Sequence, residues 1–221
     1  MKNPLRQLLR PKSAGDFTAQ IVAKGEIKTA LDIGCGTSSH LQAFRPTLET
    51  TGLDAFTGAI DISKKCRVHD HYIHADILKD KIDTQFDLVT LYGLIEHLPK
   101  TDGIKLLDRV EELSRKYIIF ETPNGFVPQG PEFGNEFQRH LSGWNIQEFI
   151  NRGYKVYGTT GTRYLRGYMA GPKYNFPGCI FFDELITLLL RINNNPKHAF
   201  NLVAIKDLQG ISAKHKKEDQ H

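Results

Sequence analysis

Two glycines separated by a single residue interrupt the hydrophobic run of LDIGCGTSSH. Gly34 and Gly36 allow a tight turn and let a ligand approach the backbone closely. Asp32 lies two residues before the first glycine, and both Asp54 and Asp76 end later hydrophobic runs. Glycines and acids in this arrangement are typical of a nucleotide-binding turn at the carboxyl end of a strand.

The acids help to distinguish between possible nucleotides. A dinucleotide fingerprint requires a third glycine at position 39 and a methyl-donor pattern requires one at 38, but Ser38 and Ser39 occupy these positions. Three carboxylates in one partly desolvated crevice would repel a pyrophosphate. S-adenosylmethionine carries a sulfonium and an ammonium group and no phosphate, so carboxylates can pair with it and accept hydrogen bonds from its ribose. The residues therefore favour S-adenosylmethionine over a nicotinamide dinucleotide.

Side chains suited to acid–base chemistry on a methyl acceptor lie further along the chain. Methyl transfer from a sulfonium is an in-line displacement, in which a base helps an alcohol or phenol to lose its proton. Glu96 and His97 follow a strand-like run in LIEHLP, and His140 lies in NEFQRHLSGW. Both histidines are candidate bases, and we expect His140 to act on the acceptor. A packing or capping role for His97 stays open.

The order of patterns along the chain predicts the elements that position these residues. From residue 29 to about 121, short β-rich runs alternate with helical patterns. This alternation predicts parallel strands joined by crossover helices, and hence an α/β doubly wound sheet. Asp32, Asp54 and Asp76 would then meet in one crevice at the carboxyl ends of three strands.

One helix is predicted in more detail, after the fourth strand. Thr101 and Asp102 can cap its start, and apolar residues form a core-facing stripe at positions 104, 106, 107, 110 and 113. A later apolar helix is expected from about Phe181 to Ile192. The final strand, AFNLVAIKDL, is expected to return to the edge of the sheet.

We expect residues 1–221 to form a single domain of ordinary size. Within it we expect a helical extension over 1–26, acceptor-side loops over 123–145 and 159–177, and a flexible tail over 211–221. The two loops are long enough to be functional.

Composition excludes several classes of protein. The three cysteines lack the spacing of a disulfide scaffold or zinc site, which fits a reducing compartment and a cytoplasmic location. The net charge of +4 resides mainly at the chain ends without interleaved aromatics, so nucleic-acid binding is not favoured. The most apolar segment is too short for a membrane span and contains Asp183 and Glu184.

From about Ala30 to Gly125 the chain resembles class I S-adenosylmethionine-dependent methyltransferases, of the type 11 or type 23 kind. The stretches that carry the resemblance are ALDIGCGTSSH, TGLDAF, HADIL, FDLVTLYGLIEHLPK and YIIFETPNG. The resemblance implies a Rossmann-like sheet of seven strands, mostly parallel with an antiparallel last strand, and helices on both faces.

The same resemblance implies roles for individual residues. The glycine turn would contact the methionine moiety, Asp54 the ribose hydroxyls and Asp76 the adenine amino group. Backbone near Leu91 and Tyr92 would hold the ammonium end of the donor. The predicted donor-binding set further includes Asp32, Gly34, Cys35, Gly36, Ala55 and Ile77.

The loop around His140 is similar, more loosely, to ubiquinone-type O-methyltransferases and small-RNA 3′-end methyltransferases. There, a Glu-x-x-Glu-His segment joins a later histidine to bind a divalent cation. Here Gly93 replaces the first glutamate, so Glu96, His97 and His140 would form a reduced site, and the same residues are also compatible with metal-free acid–base work, which is the favoured interpretation.

The pattern GNEFQRHLSGW…GYKVYGTTGTRYLRG also resembles bacterial methyltransferases of unassigned or glycan-associated role, a resemblance that names no substrate. We expect a methyltransferase that acts on a hydroxyl of a small molecule or saccharide. A catalytically silent binding module and an RNA methyltransferase are the alternatives, and N-methylation also stays open. The sequence leaves the acceptor, the metal and the oligomeric state undetermined.

Overall fold

Seven strands form one mixed sheet in the computed structural model, which describes residues 12–131, 135–167 and 170–209. The strands are β1 (Thr29–Ile33), β2 (Glu49–Asp54), β3 (His71–His74), β4 (Phe86–Tyr92), β5 (Ser114–Pro123), β6 (Lys155–Thr162) and β7 (Ala199–Asp207). The helices are α1 (Ala14–Val22), α2 (Thr57–Lys65), α3 (Lys100–Leu113), α4 (Ile146–Ile150) and α5 (Cys179–Leu189).

The strand order is β3-β2-β1-β4-β5-β7-β6, and β1 to β5 run parallel. The order reverses between β1 and β4, which creates a crevice at the carboxyl ends of these strands. The predicted α/β doubly wound sheet with an antiparallel last strand is confirmed. The expected edge position of that strand is wrong, because β7 inserts between β5 and β6 and pairs antiparallel with both.

Both faces of the sheet are covered by apolar side chains. One core cluster packs α3 and the segment around Trp144 against the sheet, with Leu106, Val110 and Phe149 fully buried. The other packs α1 against the opposite face through Phe17 and Ile21. Among the described residues, none of the helices combines the length and apolar character needed to cross a bilayer.

Several local predictions need correction. The run SSHLQAF forms only a short 3-10 helix, His40–Phe44, and β6 continues to Thr162, four residues into the loop expected from position 159. Thr159 and Thr162 both pair with β7, and an irregularity between them, in which Thr160 and Gly161 have positive φ angles, lets the strand continue. The predicted extension over 1–26 contains α1, while residues 1–11 and the tail 211–221 lie outside the described residues.

The predicted stripe of α3 is correct at four of its five positions. Ile104 is 43% exposed, whereas Leu106, Leu107, Val110 and Leu113 are buried as predicted. Gly103 occupies the remaining core position, since it shares a helix face with residues at i+3, i+4 and i+7. No side chain caps the helix, which begins after Pro99 rather than at the predicted Thr101–Asp102 cap.

The fully buried indole of Trp144 explains why a glycine stands at position 103. A Cβ atom added to Gly103 would lie 2.3 Å from Cζ2 of Trp144 and 3.3 Å from Ile95. The indole nitrogen also donates to Ser142 Oγ, which restricts how far the ring can move. Trp144 therefore packs directly on the backbone of α3.

We expect Gly103→Ala to lower the free energy of unfolding by about 1–3 kcal/mol, because the clash with the indole outweighs the gain of about 1 kcal/mol in helix propensity. Chemical denaturation monitored by Trp144 fluorescence measures this change. Gly130→Ala is the matched control, because a Cβ atom there meets nothing within 4 Å. Equal stability of the two variants would contradict the packing argument.

Candidate active site

The glycine turn after β1 has the backbone conformation that the sequence predicts. Gly34 and Gly36 have φ angles of +69° and +54°, which residues other than glycine rarely adopt. A Cβ atom at Gly34 would lie 2.9 Å from the side chain of Leu94. The amide of Gly34 donates to the carbonyl of Leu53 at 2.8 Å, so the turn is tied to the end of β2.

Asp54 joins this turn to the next segment of the chain. One carboxylate oxygen accepts from the backbone N–H of Gly36 at 2.9 Å and the other from that of Phe56 at 2.8 Å. Each oxygen retains acceptor capacity, since a carboxylate can accept about four hydrogen bonds. The carboxylate is thus held in place with acceptor positions remaining for a ligand.

A cavity of about 160 Å³ lies at the carboxyl ends of β1, β2 and β3. Six residues of the predicted donor-binding set line it: Gly34, Gly36, Asp54, Ala55, Asp76 and Ile77. A hydrogen bond from Lys79 lowers the pKa of Asp76, which keeps this carboxylate ionised at neutral pH. The cavity therefore offers two carboxylates and a close-approach backbone turn.

Asp32 lies beneath the glycine turn, apart from the lining of this cavity. Its side chain is 2% exposed and accepts from Thr90 Oγ1 at 2.7 Å, across the register of β1 and β4. Burial raises the pKa of Asp32 to about 6, and His69 Nε2 lies 3.6 Å away. Three carboxylates were expected to meet in one crevice. Asp54 and Asp76 both line this cavity, and Asp32 does not.

Two other members of the predicted set also lie in the interior. Cys35 and Leu91 are 3% and 0% exposed, respectively. Cys35 packs beside Gly52, where an added Cβ atom would lie 2.9 Å from its sulfur. Neither side chain belongs to the cavity lining. Leu91 is the penultimate residue of β4 and points into the core cluster.

A second cavity of about 350 Å³ adjoins the first. The two share Gly93, His97 and Gln138 in their linings. The larger cavity is also lined by Glu96, Tyr92, Glu121, Thr122, Pro123, Val127, Gln129, His140, Ala170, Phe200 and Asn201. The structure thus brings the predicted groups Glu96, His97 and His140 together around one cavity beside the glycine turn.

Glu96 is buried, and its hydrogen bonds connect three parts of the chain. Its carboxylate accepts from Thr122 Oγ1 at 2.9 Å, and its carbonyl accepts from the amides of Leu141 and Ser142 at 2.8 and 3.0 Å. Burial raises the pKa of the Glu96 carboxyl to about 7. This group therefore changes charge near neutral pH.

His97 and His140 face each other at the boundary of the two cavities. Their ring centroids are 4.8 Å apart in an edge-to-face arrangement. Nδ1 of His97 lies 3.2 Å from the carbonyl of Arg139, and Nδ1 of His140 lies 2.6 Å from that of Val127. Because a carbonyl only accepts, each Nδ1 carries the proton in the neutral ring and each Nε2 carries a lone pair.

The protonation state of both rings follows from their burial. Desolvation lowers the pKa of His97 and of His140, so both rings are neutral at pH 7. A neutral imidazole with Nδ1 bonded to a carbonyl can accept a proton or bind a metal at Nε2. The geometry suits either chemistry.

Glu96, His97 and His140 also meet the proximity requirement of a metal site. One potential ligand atom from each lies within 4.8 Å of those of the other two. Two imidazoles and one carboxylate suit a transition metal better than Mg²⁺, which prefers oxygen ligands. These three side chains are compatible with a bound cation and also with metal-free proton transfer.

The lining of the larger cavity also contains polar groups that the sequence analysis did not single out. Glu121, near the end of β5, accepts from Thr159 Oγ1 at 3.2 Å, and Asn201 lies across from Pro123 on β7. The Oδ1 atom of Asn201 is buried without a hydrogen-bond partner. For Glu121, a signal was available in the sequence, because this residue directly follows the hydrophobic run YIIF. The placement of Asn201 in the cavity could not be predicted in this way, because it depends on the strand order.

The chain belongs to a methyltransferase family: a family model described as a methyltransferase domain matches residues 6–161. It is a class I S-adenosylmethionine-dependent methyltransferase, as predicted, and S-adenosylmethionine is its cofactor. No curated protein sequence matches the chain significantly.

Solved structures of methyltransferases share the fold. The N-methyltransferase NodS from Bradyrhizobium japonicum WM9 superposes with a TM-score of 0.55 at 13% identity, over 93% of this chain and 97% of that one. The plantazolicin methyltransferase BpumL, in complex with a pentazolic desmethylPZN analog and SAH, gives 0.54 at 21% identity over 93% and 86%. Magnesium protoporphyrin IX methyltransferase from Synechocystis PCC 6803, with bound SAM, gives 0.53 at 12% identity over 88% and 77%.

We expect Asp54→Ala to weaken S-adenosylmethionine binding at least tenfold. The substitution removes a charged acceptor for the ribose hydroxyls, and each such hydrogen bond contributes about 1.5–3 kcal/mol. It also removes the anchor of the Gly36 amide. Isothermal titration calorimetry measures the affinity.

Two further variants distinguish this role from a general loss of structure. Asp61→Ala removes an exposed carboxylate on α2 and should leave the affinity unchanged. The affinity of Asp54→Asn for S-adenosylmethionine should lie between those of the native chain and of Asp54→Ala, because the amide keeps one acceptor oxygen. Undiminished binding by Asp54→Ala would mean that the donor binds elsewhere.

Proposed function

We propose that this methyltransferase transfers the methyl group to a hydroxyl oxygen of a small molecule or saccharide bound in the 350 Å³ cavity. The observation that carries the proposal is the shared wall of the two cavities, Gly93, His97 and Gln138. A donor in the smaller cavity and an acceptor in the larger one would be direct neighbours. The volume is at the lower end of the range for small-molecule sites.

The polar lining of the larger cavity supports an acceptor rich in hydroxyl groups. Asn201 Oδ1 has no donor, and the carboxylate of Glu121 receives a hydrogen bond from Thr159. Buried acceptor atoms require donors, and a saccharide supplies several O–H groups. Gln129 and Gln138 add amide groups that can both donate and accept.

His140 is the proposed base. Its Nε2 lone pair would receive the hydroxyl proton while the acceptor oxygen attacks, and the Nδ1–H bond to Val127 would hold the ring in this tautomer. S-adenosylmethionine supplies an electrophilic methyl carbon with a neutral sulfide as leaving group. His97, in edge contact with His140, would either share the proton or orient the neighbouring ring. Alignment of the two ligands provides the rest of the acceleration.

The lining of the larger cavity gives no support to the RNA alternative. An RNA acceptor requires basic residues near the mouth of the site. No Lys or Arg occurs among the described residues that line this cavity, which instead include Glu96 and Glu121. The silent-module alternative is opposed by two neutral histidines whose Nε2 atoms are available beside the glycine turn.

We expect His140→Ala to reduce turnover by about a hundredfold or more while leaving donor affinity nearly unchanged, which is the usual scale for loss of a positioned base. Acceptors are first found by incubating fractionated cell extracts with S-adenosylmethionine labelled on the methyl group. Turnover is then measured on the purified acceptor, and donor affinity by calorimetry.

The control for this experiment is His71→Ala, which removes an exposed histidine of β3 that pairs with Glu49. Its turnover should match that of the native chain. Loss of donor binding by His140→Ala, or full retention of turnover, would assign His140 a structural role instead of a catalytic one.

Removal of divalent cations tests the metal version of the mechanism. Since only Glu96 supplies a carboxylate to the cluster, we expect direct proton abstraction, and hence turnover that EDTA does not change. The assay compares rates before EDTA treatment, after it, and after addition of Mg²⁺ or Mn²⁺. Inhibition that either ion reverses would instead favour a cation held by Glu96, His97 and His140.

A further inference from the structure

Helix α5 buries the polar side chains of Asp183 and Thr187 and exposes most of its large apolar side chains. Cys179, Asp183 and Thr187 are buried, at successive intervals of four residues. The exposed positions of the same helix are 41–71% accessible and are all large and apolar: Ile180, Phe181, Phe182, Leu185, Leu188 and Leu189. This arrangement is the reverse of an ordinary surface helix.

The inward position of Asp183 fixes this orientation. One carboxylate oxygen accepts from both the amide and the hydroxyl of Thr162, at 2.8 and 2.9 Å. The other accepts from Arg166 Nε at 2.6 Å. Rotation of α5 that buried its apolar face would separate the buried carboxylate of Asp183 from Thr162 and Arg166, which is strongly unfavourable.

The exposed side chains form one continuous surface. Phe182 contacts both Phe176 and Phe181, with ring centroids 6.1 and 5.9 Å apart, and Phe176 is itself 40% exposed. With Ile180 and the leucines of α5 they make seven large apolar side chains that are 40–71% exposed, and large exposed apolar patches mark interaction sites. A surface of this size indicates a binding partner.

The charges around α5 identify the kind of partner. Residues 163–198 contain five basic and two acidic side chains, and one of the acids, Asp183, is neutralised by Arg166. The exposed basic residues are Arg163, Lys173, Arg191 and Lys197. Two copies of the chain meeting at this face would bring these like charges together. An anionic lipid surface complements both the apolar face and the basic residues around it.

We propose that α5 is an interfacial helix that docks this methyltransferase on an anionic lipid bilayer. The helix is about 16 Å long and would lie in the plane of the headgroups, with Phe181 and Leu189 buried in the interface. Ala170, in the connection between β6 and α5, lines the 350 Å³ cavity. Docking through α5 therefore brings the connection that borders this cavity to the membrane.

Sedimentation of the full-length chain with vesicles tests the proposal. We expect binding to vesicles of equal parts phosphatidylglycerol and phosphatidylcholine, weaker binding at high salt, and much weaker binding to pure phosphatidylcholine. Phe181→Asp combined with Leu189→Asp should reduce binding to the anionic vesicles at least tenfold. Ile62→Asp, at a position on α2 that is 48% exposed, should bind like the native chain.

Several results would overturn the proposal. They are absence of binding to the anionic vesicles, equal binding by the double variant, and a dimer in light scattering that the double variant converts to a monomer. Thermal unfolding and calorimetric titration with S-adenosylmethionine verify that the variants are folded. Vesicle binding is measured without an acceptor. Absence of vesicle binding would therefore leave the proposed methyl transfer unaffected, and absence of methyl transfer would leave the proposed vesicle binding unaffected.

Discussion

The carboxylate of Asp54 is the constraint on which the carboxyl end of the sheet depends. It lies at the end of β2 and receives one backbone hydrogen bond from the turn after β1 and one from the segment that leads into α2. Hydrogen bonds to an ionised acceptor are stronger than neutral ones. The same side chain faces the smaller cavity, so the shape of the turn and the proposed binding of the donor depend on one group.

Hydrogen bonds to Glu96 hold the loop over 123–145 against the sheet. The carbonyl of Glu96 accepts from two successive amides of the loop, and its carboxylate receives the hydroxyl of Thr122 from β5. The loop residue His140 is thereby held against His97, although the two are 43 positions apart in the chain. The proximity of the two imidazoles thus depends on backbone bonds as much as on their own side-chain contacts.

Local patterns were sufficient to predict the glycine turn, the first five strands and six of the residues that line the smaller cavity. Features that depend on contacts between distant strands were not accessible in this way. Asp32 is directed beneath the turn by pairing with Thr90 on β4, and the position of β7 between β5 and β6 places Asn201 in the larger cavity. Periodicity predicted helix α5 but not its orientation, which depends on the contacts of Asp183 with Thr162 and Arg166.

The common wall of the two cavities has a consequence for how this enzyme can change over evolution. If the donor and the acceptor bind as proposed, a substitution at Gly93, His97 or Gln138 would touch both of them at once and would be strongly constrained. Glu121 and Asn201, on β5 and β7, line the larger cavity and not the smaller one. Substitutions on β5 and β7, at the antiparallel end of the sheet, can therefore change which acceptor is preferred. The residues at the parallel end, which face the proposed donor site, would stay the same.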